Sequence, residues 1–364
     1  MIYIIIFLYT IFSALLFRKN LQCNVNVQHK TGKINIGFAK RNLTAFVVML
    51  PATMVLALRY GFGADYHGTY RNVFNAVLYN WDTYLKNAKV ESGFILICHI
   101  VKNFTHDYVW LLFISAIITM YILTKAILEN SENYVISILF VFITAMYFDM
   151  TNLVRQCIAL SIFMYAIKYI NKREIKKYIL CIIIAMMFHI SILFLMPVYF
   201  LYDFNVKNSY KILIPVITLF FSTFIGKILT YILLKIPKYA PYARKINVGS
   251  TDIILVLLFC IVYLLALFYS ANSKGIEDFY VNMLMVAVTI GLASLSIPFL
   301  HRFLIYFKLL FIFYNPILFK NLTNKKWGFL IKIFVIVLFV LYTVYVVYIG
   351  DWYGANPYRN IFSR

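Results

Sequence analysis

Three arginines of this sequence stand beside long apolar stretches, where a charged side chain is costly unless a binding partner or a function compensates for it. Arg59, Arg155 and Arg302 each lie at one end of an apolar segment. A guanidinium at the centre of a membrane costs about 2.5–3.5 kcal/mol on insertion scales, and less near the interface. One such arginine is commonly explained by contact with lipid phosphates, but three on one face favour a bound anion. Because the planar guanidinium matches phosphate oxygens, a lipid-linked phosphate or diphosphate is the expected ligand.

Three further side chains could exchange a proton with such a substrate. Asp65 and Glu91 belong to one long polar segment that also contains glycines, and His189 lies in the apolar sequence Phe-His-Ile-Ser. A carboxylate or an imidazole beside a reacting hydroxyl can act as a general base. The simpler alternatives are a solvated loop acid and a buried histidine bonded to a backbone carbonyl. The residues alone do not decide which of the three would be the base.

Aromatic side chains that could stack on a sugar accompany these groups. The candidates for a sugar-binding rim are Tyr66, Tyr70, Trp81, Tyr239, Tyr242, Trp352 and Tyr358. The chain has 30 Tyr, and membrane proteins carry Tyr and Trp at both interfaces for structural reasons, so each of these residues also has a purely structural interpretation. Gln156 and Ser191, close to Arg155 and His189, complete the predicted substrate contacts.

No metal or cofactor motif accompanies the candidates. The five cysteines are scattered without a CxxC pair, which argues against a disulfide framework and a structural zinc site. His67, His99 and His106 share a segment with Asp65 and Asp107, but their spacing fits no common metal site. The phosphate-binding pattern Gly-x-x-x-x-Gly-Lys-Ser/Thr does not occur. We expect no cofactor and identify no metal-binding residues, and a dependence on divalent metal stays open without support in the sequence.

The composition is that of a polytopic membrane protein. Of 364 residues, 63% are hydrophobic and 13% are charged, whereas a soluble domain is roughly 45–50% apolar and about 25% charged. The net charge of +21 is carried mainly by short loops, where lysine and arginine set the topology and attract anionic lipid. A nucleic-acid partner is not expected, because no basic face exists outside the membrane.

Apolar stretches long enough to be membrane helices recur along the whole chain. The predicted segments are 2–17, 43–58, 108–127, 134–150, 155–171, 178–201, 210–236, 252–270, 279–297, 302–319 and 328–349. A spanning helix needs about 20 mostly apolar residues, which leads to about ten to twelve spans. The loop charges require an odd number of crossings between residues 178 and 236, and a turn at Gly226 is the preferred way to obtain it.

The loop charges also predict the topology of a single integral membrane domain, residues 1–364. The basic segment 18–41 contains no acid and is expected to be cytoplasmic. An external loop over 59–107 follows, with a second external loop at 237–250. An external C-terminal tail, 350–364, is expected beside the first loop. The candidate residues would then meet on the external face.

Five motifs occur in one order over the full length of the chain. They are Arg59-Tyr-Gly-x-Gly-x-Asp65-Tyr-x-x-x-Tyr70, Glu91-x-Gly-Phe, Arg155-Gln156, Phe188-His189-x-Ser191 and a late Arg302. The ordered set resembles the EpsG family of polysaccharide-biosynthesis membrane proteins, which is allied to the Wzy-type repeat-unit polymerases. One departure is Glu-Ser-Gly-Phe where the family pattern has Glu-Pro-Gly-Phe. This change keeps the acid and loosens the turn.

The resemblance implies an all-α enzyme of the bacterial inner membrane with a GT-C-like architecture and a periplasmic active site. Such a polymerase moves a growing glycan (O-antigen, capsule or exopolysaccharide) from undecaprenyl diphosphate onto a new lipid-linked repeat unit. The lipid-linked oligosaccharide and membrane lipid are then its partners, and a chain-length regulator protein is an open expectation. The alternatives are a flippase or transporter of the same lipid-linked substrate, a glycan ligase of the same chemistry, and an acyltransferase that uses His189.

Overall fold

The described part of the protein is built from helices. The computed structural model describes residues 1–21, 36–63, 65–79, 90–235, 250–270, 273–297 and 300–363. Within these ranges the only β-type pairing is an isolated antiparallel bridge that joins Arg59 to Asn360. The predicted all-α fold class is confirmed. The chain divides into two compact units, residues 1–199 with 343–364 and residues 200–342.

The first unit contains ten of the described α-helices. They are α1 (Ile2–Leu16), α2 (Arg18–Leu21), α3 (Ile36–Ala57), α4 (Asn72–Tyr79), α5 (Ser92–Lys102), α6 (Val109–Asn130), α7 (Tyr134–Ile143), α8 (Met146–Asn152), α9 (Val154–Asn171) and α10 (Ile175–Met186). A π-helical turn, Tyr66–Arg71, precedes α4, and a 3₁₀ helix, Ile190–Tyr202, follows α10. The helix α9 is apolar on nearly every side and packs between α6 and α10, as expected for a helix that is buried all round.

The second unit contains the remaining described α-helices. They are α11 (Asn208–Leu234), α12 (Ser250–Tyr269), α13 (Ile276–Ser294), α14 (Leu304–Phe307), α15 (Leu309–Asn321) and α16 (Gly328–Val344), the last two residues of α16 belonging to the first unit. The helix α13 packs against both α11 and α12. At its start Asp278 forms an ion pair with Lys211 of α11, with 2.7 Å between Nζ and Oδ1.

Five of the described helices are long and apolar enough to cross a membrane, and seven spans result if each of two bent pairs counts as one. The bent pairs are α7 with α8 and the segment 300–307 with α15, which the sequence predicts as the single helices 134–150 and 302–319. These counts, made on the described residues, are lower than the predicted ten to twelve. The helix within 2–17 has 15 residues, and the predicted span 178–201 is divided between α10 and a 3₁₀ helix of 13 residues. In the first pair, Ala145 adopts a left-handed conformation with φ of 58° and turns the chain by 54°.

The predicted turn at Gly226 is wrong. The helix α11 continues through this residue from Asn208 to Leu234. Gly226 instead lets the helix approach the backbone of residue 296, because a Cβ there would collide with the carbonyl oxygen of Ser296. The break in the region falls earlier, at residues 187–189, between α10 and the 3₁₀ helix.

The C-terminal tail lies beside the first loop, as the sequence predicts. The backbone N–H of Tyr60 donates to the carbonyl of Arg359 over 3.0 Å, and the N–H of Ile361 donates to the carbonyl of Leu58 over 3.0 Å. These two bonds flank the bridge between Arg59 and Asn360. The tail therefore pairs with the chain directly after α3.

Two tyrosine hydroxyls of the tail anchor it further. The hydroxyl of Tyr358 donates to the carbonyl of Val55 over 2.9 Å. The hydroxyl of Tyr353 donates to Oδ1 of Asp149 over 2.6 Å, and both residues are buried. A buried carboxylate needs such donors, because withdrawal from water is costly for a charged or polar group.

We expect Tyr353→Phe to destabilise the first unit, because it removes a donor from the buried Asp149 and keeps the ring. Loss of such a bond typically costs about 1–3 kcal/mol. The unfolding free energy or the thermal midpoint of the purified protein in detergent measures the effect. Tyr9→Phe, on an exposed face of α1, is the matched control. Equal stability of the two variants would contradict this role for Tyr353.

Candidate active site

Residues of the first loop form hydrogen bonds with the junction between α8 and α9. The hydroxyl of Tyr70 donates to the carbonyl of Asn152 over 2.7 Å and accepts the N–H of Val154 over 3.0 Å. It thereby supplies hydrogen bonds at a break in the helix, where backbone groups lack helical partners. The side-chain oxygen of Asn152 accepts the N–H of Asp65 over 3.3 Å. The junction therefore holds the loop next to the start of α9, where Arg155 lies.

A close backbone contact brings Glu91 to the end of α10. The N–H of Gly93 donates to the carbonyl of Met187 over 2.6 Å. A Cβ at Gly93 would lie 2.7 Å from that oxygen and 2.9 Å from the Met187 Cβ, so this approach requires glycine. Glu91 is the N-cap residue of α5, but its side chain does not cap its own helix, and the carboxylate is available to other partners.

Glu91, Arg155 and His189 form one cluster, which we call the carboxylate cluster. Oε2 of Glu91 forms an ion pair with Nη1 of Arg155. Oε1 lies 3.1 Å from Nδ1 of His189 and accepts the N–H of Ile190 over 3.2 Å. That N–H is at the start of the 3₁₀ helix, where it has no partner within the helix. Both oxygens of the carboxylate are therefore occupied.

The carboxylate cluster is partly open to solvent. The side chains of Glu91, Arg155 and His189 are 17%, 19% and 25% exposed. Glu91 lies before α5, outside the membrane-spanning segments. Burial alone would raise its pKa, but the contact with His189, the neighbouring backbone N–H groups and the charge of Arg155 outweigh burial and lower the pKa to about 2. The site thus holds an ionised carboxylate between two nitrogen-bearing side chains.

Arg59 has a different environment. Its side chain is 1% exposed. One terminal nitrogen donates to the carbonyl of Leu56 over 2.7 Å, and the other donates to the carbonyl of Thr151 over 3.4 Å. These carbonyls belong to the last turns of α3 and α8, which carry partial negative charge. Within the described chain, Arg59 caps two helix ends and has no acidic partner.

Asp65 and the two loop tyrosines are held in place around the same junction. Oδ1 of Asp65 accepts the hydroxyl of Thr69 over 2.9 Å. The rings of Tyr66 and Tyr70 are buried, and Tyr66 packs against Tyr108 with 5.3 Å between ring centres. Neither ring presents an open face to a sugar in this arrangement. Their geometry favours a positioning role, and direct substrate contact by either ring stays a prediction.

The other predicted substrate contacts are distributed as follows. Gln156 follows Arg155 on α9, and Ser191 follows His189 by two residues, so both are near the carboxylate cluster in sequence and each is half-buried. The ring of Tyr358 packs edge-on against Tyr3 at 5.7 Å. Tyr239, Tyr242 and Trp81 lie outside the described residues, as does most of the second external loop.

Arg302 belongs to the second unit, in the 3₁₀ turn Leu300–Phe303, and its side chain is exposed. The predicted convergence of the three arginines on one ligand therefore stays a prediction. Among the residues that the structure describes, no group of three His, Cys, Asp or Glu side chains could hold a metal ion.

Sequence reasoning missed the residues that organise the site. Asn152 accepts bonds from both Asp65 and Tyr70, and the Met187 carbonyl fixes the start of α5. No sequence motif marks either residue. Asn152 acts through its side-chain amide and its main-chain carbonyl, and Met187 acts through its main-chain carbonyl alone. Gly93 is the one available signal, because a glycine at the start of a helix permits close backbone approach.

The apolar helices define a polytopic membrane protein. The carboxylate cluster gives it a partly enclosed site that contains an ionised carboxylate. The chain matches the EpsG family over residues 42–360 and belongs to that family. The family includes Wzy-type polymerase-like proteins, and membership identifies the chain as a membrane protein of polysaccharide biosynthesis. Comparison with curated proteins and with solved structures finds no match.

We expect Glu91→Gln to change the pH dependence of stability. The folded protein lowers the pKa of Glu91 from its ordinary value of 4.5 to about 2, so the carboxylate stabilises the fold above pH 4.5. This contribution, about 3 kcal/mol at most, is lost as pH falls from 4.5 towards 2. Unfolding measured across that range should show a shallower pH slope in the variant.

Asp351→Asn is the control, because it removes an exposed carboxylate of the same unit. It should retain the wild-type slope. If the unfolding free energy of Glu91→Gln depended on pH as that of wild type does, the carboxylate would not be held as described.

We expect Gly93→Ala to displace Glu91, because the new Cβ would meet the Met187 backbone. Forcing extra atoms into a packed position typically costs about 1–3 kcal/mol. The thermal midpoint of the purified variant measures this cost. Gly68→Ala is the matched control, since no described atom beyond its chain neighbours and its own helical turn lies within 4 Å of its Cβ position. A Gly93→Ala protein as stable as the Gly68→Ala protein would disprove the close contact.

Proposed function

We propose that this protein is a glycosyltransferase that polymerises lipid-linked oligosaccharide repeat units. It transfers the growing glycan from undecaprenyl diphosphate to a new lipid-linked repeat on the outer face of the bacterial inner membrane. The observation that carries the proposal is the carboxylate cluster, which unites three predicted site residues from distant parts of a chain of the EpsG family.

In the proposed reaction His189 is the general base. Its Nδ1 lies 3.1 Å from Oε1 of Glu91, and we assign to His189 the tautomer that carries its proton on Nδ1 and leaves Nε2 as the acceptor. Nε2 takes the proton of the acceptor sugar's hydroxyl. The hydroxyl oxygen forms a bond to the anomeric carbon of the donor glycan as the bond from that carbon to the diphosphate oxygen breaks. The diphosphate leaves with the electron pair.

Glu91 is a poorer candidate for the base. One carboxylate oxygen pairs with Arg155, and the other contacts His189 and the Ile190 N–H. A pKa of about 2 makes it a weak proton acceptor near neutral pH. We assign to it the orientation of His189 and the stabilisation of the imidazolium that forms, a role in which it keeps its charge.

Arg155 is the proposed ligand of the diphosphate. Only Nη1 is engaged by Glu91, so the other N–H groups of the guanidinium can face an anion at the partly open site. A guanidinium placed where charge develops on a leaving group supplies electrostatic stabilisation, which usually contributes more to catalysis than any other single effect. Arg59 is proposed to act indirectly: it holds the ends of α3 and α8 in place through its hydrogen bonds, and α9, which carries Arg155, follows α8. Arg302 is retained as a proposed diphosphate ligand on sequence grounds.

Asp65 is proposed to bind the acceptor sugar. Its carboxylate accepts the Thr69 hydroxyl, and its backbone is tied to Asn152, so its position relative to the start of α9 is fixed. A carboxylate held in this way can accept hydrogen bonds from sugar hydroxyls. The phosphate–sugar bond of the donor supplies the free energy of the transfer, so the proposal needs no nucleotide.

We expect His189→Ala to lower the rate at which purified protein in proteoliposomes converts lipid-linked repeats into longer chains. Loss of a general base typically costs about 10²–10⁴-fold. Arg155→Lys, which retains the charge but loses the planar guanidinium, should lower the rate by about tenfold or more. His106→Ala, at an exposed loop position, is the control and should leave the rate unchanged.

Folded His189→Ala and Arg155→Ala proteins with wild-type rate and chain length would overturn the proposed roles. A deletion strain tests the function itself. A polymerase mutant displays single repeats on the outer face, whereas a mutant of a flippase would keep the repeats on the cytoplasmic leaflet.

A further inference from the structure

The helix α11 carries a lysine where an apolar side chain would be expected. Lys227 is exposed on a 27-residue helix that is otherwise rich in exposed apolar residues, including Phe220 and Phe224. Within the described chain neither Lys227 nor Lys235, two turns further on, pairs with an acid. An uncompensated ammonium on an apolar face marks a ligand or an interface.

A cavity of about 430 Å³ lies beside Lys227, and polar side chains form part of its lining. Thr223, Thr230 and Ser296 contribute hydroxyl-bearing side chains to it. The walls approach closely because Gly226 packs directly against the backbone of residue 296. The cavity belongs entirely to the second unit and is therefore distinct from the carboxylate cluster.

A second cation extends this site towards the end of the helix. Tyr231 lines the cavity, and the ammonium of Lys235 lies 4.4 Å from the centre of its ring. Lys227 and Tyr231 are four residues apart on one face of α11, and Lys235 follows four residues later as the C-cap of the helix. Lysine and tyrosine side chains with apolar stems and polar tips are typical of the membrane–water interface.

The length of α11 is consistent with a position for Lys227 just inside the hydrocarbon core, within reach of the lipid headgroups. Its 27 residues extend about 40 Å at 1.5 Å per residue, whereas the hydrocarbon core is about 30 Å thick. Lys227 lies about 10 Å from the C-terminal end of the helix, or about 5 Å inside the hydrocarbon boundary if the helix is centred in the core. A lysine at this depth can extend its ammonium to the phosphate level.

We propose that this cavity binds the headgroup phosphate of an anionic phospholipid. Lys227 is the principal cation, the hydroxyls of Thr230 and Ser296 donate to phosphate oxygens, and the acyl chains lie along Phe220 and Phe224. Lys235, held over Tyr231, favours a headgroup with net negative charge over a zwitterionic one. The site is separate from sugar transfer and does not depend on the proposed polymerase activity.

Native mass spectrometry of the full-length protein tests the proposal, with phosphatidylglycerol and phosphatidylcholine as probes. Wild type should retain phosphatidylglycerol in preference. Lys227→Gln should lower that retention about fivefold, since one basic residue near the surface contributes about 1 kcal/mol, and Lys227→Arg should preserve it. Thr230→Val should lower it in the same direction.

Lys274→Gln is the matched control, because it removes the same charge from an exposed lysine before the start of α13, whereas the cavity lies beyond the other end of that helix. It should retain the lipid as wild type does. Unchanged retention in Lys227→Gln would overturn the proposal, and so would an equal loss in Lys274→Gln. Displacement of the lipid by millimolar inorganic phosphate would assign the site to free phosphate instead.

Discussion

A carboxylate that is largely withdrawn from water stays ionised only where donors surround it, and the first unit is arranged around this constraint. The start of α9 supplies Arg155, and the end of α10 supplies His189 and the Ile190 N–H. The start of α5 supplies the acid itself. Three helix ends must therefore meet at one point, and the short contact between Gly93 and Met187 is the condition for their meeting.

Arg59 and Arg155 show how the same residue type can meet different physical needs. Both stand at the end of an apolar segment, and the sequence predicts one role for both. Arg155 is partly exposed and neutralised by a carboxylate, which leaves it able to exchange or share its partner. Arg59 is enclosed, and its two terminal nitrogens donate to the carbonyls of two helix ends. Only the packing of α3 and α8 distinguishes them.

The sequence predicts this protein well where side-chain chemistry is distinctive and poorly where main-chain geometry decides. Arg155 and His189 could be chosen because ionisable groups are rare in apolar surroundings, and Glu91 because it is one of two acids close to glycines in the first loop. The structure brings the three together. The sequence could not show that the helix breaks at residues 187–189 rather than at Gly226, because residues 178–201 form one continuous apolar stretch. Gly226 is a glycine for close packing rather than for a turn, and these two uses look the same in a sequence.

The pairing of the C-terminal tail with the chain after α3 has a consequence for biosynthesis. Residues 343–364 belong to the first unit, although residues 200–342 of the second unit precede them. A ribosome therefore makes the segment that pairs with Arg59 only after the second unit has been made. The first unit cannot close vectorially from its N-terminus. A nascent chain that stops short of Tyr353 leaves Asp149 without that donor, and the withdrawal of this carboxylate from water is then less well compensated.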